Sequence, residues 1–92
     1  MEVVWSKKAQ QTYLKTVQYI LENWTFKEAV KFEKAVFSLL NSIALNNQLC
    51  PPSNKSKHRR CVVGKQTSVV YKIKSNKISV VAFIDNRANH GY

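Results

Sequence analysis

Acidic side chains are scarce in this 92-residue sequence: five Asp and Glu stand against fifteen Lys and Arg, for a formal net charge of +10. The deficit is uneven. Residues 1–46 hold six lysines against four glutamates, whereas residues 47–92 hold six lysines and three arginines against Asp85 alone. A surface this basic attracts a phosphate backbone or an acidic protein through a long-range term that salt weakens. Domains that use charge only to stay monomeric intersperse both signs, and this one does not. Long apolar runs are also missing: nothing approaches the roughly 18 residues of a membrane span, so no membrane partner is expected. The opening Met1-Glu2-Val3-Val4-Trp5-Ser6 has neither the basic region nor the apolar core of a secretory signal, and a cytoplasmic protein is expected.

Cysteine is scarce as well. Cys50 and Cys61 have ten residues between them and His58 near the second, but no close Cys pair of the kind zinc sites use. Reduced, partly buried thiols are expected, with no metal and no other cofactor. There are no internal repeats or low-complexity segments, and 45% hydrophobic residues suffice for one modest core. Residues 1–92 are therefore read as a single domain.

The short run Val3-Val4-Trp5 is β-prone, and Ser6 offers a hydroxyl to the free amides of a following helix. From residue 7 to 23 the apolar positions Ala9, Tyr13, Val17, Ile20, Leu21 and Trp24 recur at steps of three and four, the signature of an amphipathic helix. Thr25-Phe26-Lys27-Glu28 then matches a capping box, so a second helix starts at once. Its stripe is Phe32, Val36, Leu39, Leu40 and Ile43. So short a join favours an antiparallel helical hairpin. Asn46-Asn47 loosens that helix and Pro51-Pro52 forbids its return, leaving a loop that ends in the basic run from Lys55 to Arg60. Three β-rich segments follow, 61–63, 69–73 and 78–84, separated by Gly64-Lys65-Gln66 and Ser75-Asn76. Turns this short make an antiparallel meander. The last segment is apolar at both parities, with Ile78, Val80, Ala82 and Ile84 on one side and Val81 and Phe83 on the other, as in a central strand. One helical hairpin covers one face of the sheet, and the second face is left partly as a groove for the basic loop and the tail. The fold class is α+β in the order β-α-α-β-β-β, a helical hairpin on a four-stranded, mainly antiparallel sheet.

With the elements in this order, the chain resembles the RelE/ParE superfamily of toxins from bacterial type II toxin–antitoxin systems. The resemblance runs over nearly the whole length: the opening V-W-S, Tyr19-Ile20 near the end of the first helix, Asn23-Trp24-Thr25, Phe32 in the second, and the Pro-bearing loop. It continues through Arg59-Arg60, Val70-Tyr71-Lys72-Ile73 and the ending Ile84-Asp85-Asn86-Arg87-Ala88-Asn89. It implies a toxin held inactive by an antitoxin that wraps it, and the charge implies that this antitoxin is acidic. Two activities exist in the superfamily. RelE-like members cut mRNA in the ribosomal A site, and ParE-like members poison DNA gyrase without being enzymes.

Cleaving RNA by 2′-hydroxyl attack needs a proton acceptor, a proton donor and cations for the growing charge on the phosphate, but no metal. Carried over from the resemblance, Arg87 stands near the family's strand-end Arg, and His90 and Tyr92 near its terminal aromatic or His. These three are the catalytic candidates. Arg59 or Arg60 falls near a family Lys on the second strand, and Lys55, Lys57, Arg59 and Arg60 are the candidates for binding nucleic acid or another target. Adjacent arginines on a strand point to opposite faces, so only one of Arg59 and Arg60 can enter the groove. Arg87 can equally pair with Asp85 at a strand end. Tyr71 and Trp24, on apolar stripes, are expected in the core.

The chain departs from the RelE-like pattern in two ways. Ser68 stands where an Arg would precede the Val70-Tyr71 pair by two residues, and Glu2, Glu22, Glu28 and Glu33 lie in the wrong elements to form an acid/base pair with a histidine. The charge, Arg87, His90 and Tyr92 tilt expectation to ribosome-dependent mRNA cleavage. The alternatives are gyrase poisoning, or a toxin-like module that only binds its antitoxin.

Overall fold

The computed structural model describes residues 1–54, 56–88 and 91–92. Lys55, Asn89 and His90 lie outside the described residues. The elements are β1 (Glu2–Trp5), α1 (Lys7–Asn23), α2 (Phe26–Leu45), β2 (Arg59–Val63), β3 (Thr67–Lys74) and β4 (Lys77–Asp85), and the sheet order is β1-β4-β3-β2. β2, β3 and β4 run antiparallel to their neighbours, and β1 lies parallel to β4. This is the α+β arrangement expected, with β4 central.

Both helices begin where the hydroxyl residues predict. Ser6 Oγ accepts from the Ala9 amide at 3.0 Å and Thr25 Oγ1 from the Glu28 amide at 3.1 Å, each satisfying one of a helix's unpaired N-terminal donors. Ser6 also ties α1 to the sheet. Its N–H donates to the Val80 carbonyl and its Oγ to the Val81 carbonyl. Two residues on, the Phe83 amide donates to Thr12 Oγ1 at 2.9 Å. β1 covers β4 only from Lys77 to Val80, so the first turns of α1 satisfy the edge that β1 leaves open.

The main core lies between the hairpin and the sheet: Ala9, Phe32, Val36, Leu40 and Ile43 pack on Val69, Tyr71, Ile78, Val80 and Phe83. Trp5, Tyr13, Phe32, Phe37 and Phe83 form an aromatic chain with centroids 5.2–6.3 Å apart, within the range of favourable ring pairs. The α1 stripe is narrower than its spacing suggests. Leu21 is half-exposed because the adjacent Ile20 takes the inward position, and Trp24 is 46% exposed. Trp24 was expected in the core, but it is the C-cap, with φ −130° and ψ −142°, so the helical period no longer governs where it points. Tyr71, expected there too, is fully buried.

The faces of β4 differ from simple alternation. Val70 pairs with Ala82 and Tyr71 with Val80, which leaves Val81 as an extra residue in a β-bulge. Ile78 and Val80 face the helices, but Ala82 and Ile84, of the same parity, join Val70 on the opposite face, and Phe83 returns to the main core. One inserted residue therefore divides the apolar residues of β4 between two cores. The bulge cannot be read from β4 alone, because it is a mismatch with β3.

The turns follow local chemistry. Ser75 and Asn76, with φ 53° and 62°, make the two-residue β3–β4 turn, whose twist requires positive φ at both positions. Gly64 at φ +80° opens the β2–β3 turn, and a Cβ there would sit 3.2 Å from Phe32 Cδ1.

The cysteines are not free thiols as expected. Cys50, in the loop after α2, is disulfide-bonded to Cys61 in β2, with Cα atoms 5.2 Å apart. Their spacing gave no sign of the bond; it follows from the chain doubling back after Pro51-Pro52, so that Pro52 bridges Arg59 and the Arg60 amide donates to the Pro51 carbonyl.

Candidate functional site on the open face of the sheet

The face of the sheet opposite the hairpin is where the charged half of the chain converges. Its apolar floor is Val70, Ala82 and Ile84, against which Val81 and Tyr92 pack. The tail thus folds back over the sheet, and Tyr92 brings four elements together. Its ring lies edge-on to His58, with centroids 5.2 Å apart at 87°. Lys8, from the first turn of α1, donates to the phenol oxygen at 2.6 Å, and its ammonium lies 5.0 Å from the ring centroid. A shallow cavity of about 340 Å³ beside it is lined by Pro51, Pro52, Ser53, Asn54, Arg60, Val62 and Tyr92.

His58 is held by Ser56, whose hydroxyl lies 2.9 Å from its Nδ1 and accepts from its backbone N–H at 3.3 Å. Partial burial, and then the positive charge of Lys72, lower its pKa below the usual range. At neutral pH the imidazole is uncharged and able to accept a proton.

The two adjacent arginines separate as strand geometry requires. Arg59 turns to the loop, donating to the Cys50 carbonyl at 2.7 Å and the Gln48 carbonyl at 3.4 Å. Arg60 enters the groove, where its Nη2 donates to Asn86 Oδ1 at 3.0 Å. The same oxygen accepts from Ser68 Oγ at 2.5 Å. Ser68 thus occupies the expected arginine's position as a fully buried donor that helps hold Asn86 for Arg60. Lys57 is exposed.

Arg87 does not join this group. Its backbone N–H and Nε donate to Asp85 Oδ1 at 2.9 and 3.0 Å, and its Nη2 donates to Oδ2 at 2.7 Å. The hydrogen bonds to Asp85, and then one with Tyr19 of α1, push its pKa further above the ordinary arginine value, so it is a permanent cation. Tyr19 and Asp85 belong to a different cleft of about 500 Å³ between the hairpin and the β2–β3 turn, floored by Ile20, Phe32 and Phe83. Lys65 closes part of its mouth, its ammonium 4.0 Å above the Trp24 ring.

The structure therefore brings Tyr92 and Arg60 together, places Arg59 and Arg87 elsewhere, leaves Lys57 exposed, and adds Lys8, His58, Lys72, Ser68 and Asn86. Of these, His58 and Ser68 carried a sequence signal, as the histidine of the basic run and as a departure from a family pattern, and Lys72 and Asn86 stand within stretches that carry the family resemblance. Lys8 reads as an ordinary surface lysine of an amphipathic helix. It reaches the site because α1 is anchored to β4 by Ser6 and Thr12.

The pattern of the ParE toxin of the type II toxin–antitoxin system, parDE, matches residues 3–90. The chain belongs to the ParE toxin family. It is thus a toxin of a type II toxin–antitoxin system within the wider RelE/ParE superfamily. Among solved structures this ParE-family toxin resembles the chromosomal ParDE system of P. aeruginosa, with TM-score 0.76 and 15% identity over 92% of this chain and 95% of that one. The YoeB–YefM complex from Staphylococcus aureus gives TM-score 0.59 and 21% identity over 90% and 93%. A YafQ mutant from E. coli gives 0.57 and 14% over 94% and 93%. At such identities the likeness is one of fold. No curated protein matches the chain.

Proposed function

We propose that this toxin acts in the cytoplasm as a ParE-like poison of DNA gyrase, binding its target without cutting a bond itself. The observation that carries this reading is the separation of Arg87 from Tyr92. RNA cleavage of the RelE kind needs the strand-end cation and the terminal aromatic at one phosphate. Here the guanidinium is held by Asp85, while the phenol is held by Lys8 and His58. Ser68 removes a second cation from the same face, and membership of the ParE family points the same way. The open face instead offers an aromatic anchor, Tyr92, with Lys8 on its hydroxyl and Arg60 across the adjoining cavity, an arrangement suited to docking.

The partner that restrains it is an antitoxin, as in the solved ParDE and YoeB–YefM systems. With a net charge of +10 on the toxin, that antitoxin carries an acidic segment which covers Arg59, Arg60 and Arg87 and binds less tightly as salt rises.

Purified toxin should block gyrase supercoiling and trap gyrase on cut DNA while ribosome-bound message stays intact. Discrete cuts in that message, with gyrase unaffected, would overturn this reading. They would favour ribosome-dependent mRNA cleavage, for which the neutral His58 beside Tyr92 and Lys8 is the specific support: a base, a phenol and a cation within one cluster.

A further inference from the structure

The bond between Cys50 and Cys61 has no part in toxin chemistry or target docking as described, yet it joins the two ends of the segment that builds one wall of the open-face site. Cys50 is fully buried; its amide donates to the Tyr71 hydroxyl at 3.3 Å and its carbonyl accepts from Arg59. Cys61 is only partly buried, in the strand at the edge of the sheet. Between them run Pro51, Pro52, Ser53 and Asn54, which line the cavity beside Tyr92, and then His58, Arg59 and Arg60. Among the described residues, the backbone contacts that fasten this segment to itself and to β2 include the Pro52–Arg59 bridge, the Arg60 amide on the Pro51 carbonyl, and the Ser53 amide on the His58 carbonyl.

We infer that Cys50–Cys61 is a reversible redox site, opened by a cellular dithiol reductant, that sets how firmly the cationic loop is held for target binding. In a reducing compartment a disulfide persists only if it is inaccessible; an accessible one is in exchange. Cys61, the less buried of the two residues, is the one attacked. A thiolate of the reductant attacks Cys61 Sγ, the Cys50–Cys61 S–S bond breaks, and its electron pair leaves on Cys50 Sγ, which takes up a proton. The second thiol of the reductant then attacks the mixed disulfide and releases Cys61 as a thiol. The protein gains two electrons and two protons, and the dithiol is oxidised to its own disulfide. Reduction removes the covalent tie across this segment and leaves only noncovalent contacts to order its described residues, so the wall beside Arg60 and Tyr92 is less preorganised and the oxidised form binds its target more tightly. This last consequence rests on the docking function proposed above.

The test uses the full chain and dithiothreitol as the reductant. After reduction under native conditions, with the fold kept by circular dichroism, maleimide labelling in denaturant should count two thiols, and none in the oxidised form. Amide hydrogen exchange at residues 53–58 should rise at least about threefold in the reduced form while α2 is unchanged. Ellman's reagent should react at least about tenfold faster with Cys61 in Cys50→Ser than with Cys50 in Cys61→Ser. Reduction only after denaturation, or unchanged exchange in the loop, would overturn the proposal. Wild-type toxin in both redox states is then compared on gyrase, with roughly threefold stronger inhibition by the oxidised form expected. Equal inhibition by both forms would remove the regulatory role. No inhibition by either form, with the labelling and exchange results intact, would count against the gyrase target and leave the redox site standing.

Discussion

Tyr92 lies edge-on to His58, with ring centroids 5.2 Å apart, although 33 residues separate them in the chain. This contact fastens the tail to the basic loop and turns the open face of the sheet into a site. Replacing Tyr92 by Ala removes the ring pair, the Lys8 hydrogen bond and the packing on Val70, Ala82 and Ile84. A loss of about 1–2 kcal/mol is expected in denaturant unfolding, with a larger loss of target inhibition than the stability change explains. Tyr92→Phe should recover the stability, because the lost hydrogen bond to Lys8 is exposed.

The lowered pKa of His58 makes stability depend on pH. Below the usual histidine value near 6.5 the unfolded chain takes up a proton before the folded one does, so folding stability falls as pH drops through that window. The fall ends once pH lies below the folded-state pKa. Unfolding midpoints measured from pH 7.5 to 5 should decline less in His58→Gln than in the wild type. Parallel declines would show that another group is responsible.

Arg87→Ala discriminates between the two activities. The side chain is exposed and its ion pair with Asp85 is a surface one, so unfolding should be almost unchanged. Under the gyrase reading growth inhibition persists, within about threefold of wild type. Abolished toxicity with a folded protein would restore Arg87 to the centre of the mechanism.

Tyr71→Phe tests the buried hydroxyl that links α2's exit to β3. The oxygen accepts from the Cys50 amide and donates to the Asn47 carbonyl at 2.9 Å. Its removal leaves the fully buried Cys50 amide and the part-buried Asn47 carbonyl without this partner, at a cost of about 1–3 kcal/mol measurable by thermal or chemical unfolding. A change below a few tenths of a kcal/mol would mean that the loop rearranges to pair them elsewhere.

Much of the fold was legible because its signals are local. Ser6 and Thr25 start the helices through hydroxyls that reach amides three residues on, and Ser75-Asn76 turns the chain within its own four residues. The order of elements came from the same local signals, and family resemblance added the toxin. The bulge at Val81, the disulfide and the site itself were not legible, since each depends on a partner far away in sequence. Val81 is extra only relative to β3, Cys50 meets Cys61 only because the proline loop folds back, and Lys8 meets Tyr92 across 84 positions.

By itself, then, the sequence determined the secondary structure, the basic half and the residue types available for binding, because periodicity, capping and charge act over a few positions or over the whole molecule. The tertiary structure decided which cations share a site. Strand pleat sent Arg59 to the loop and Arg60 to the groove, Arg87 paired with Asp85 while Tyr92 took Lys8 and His58, and anchoring of α1 on β4 delivered Lys8. The reason is physical: a side chain's role follows from where its last few ångströms end, and that is set by packing between elements.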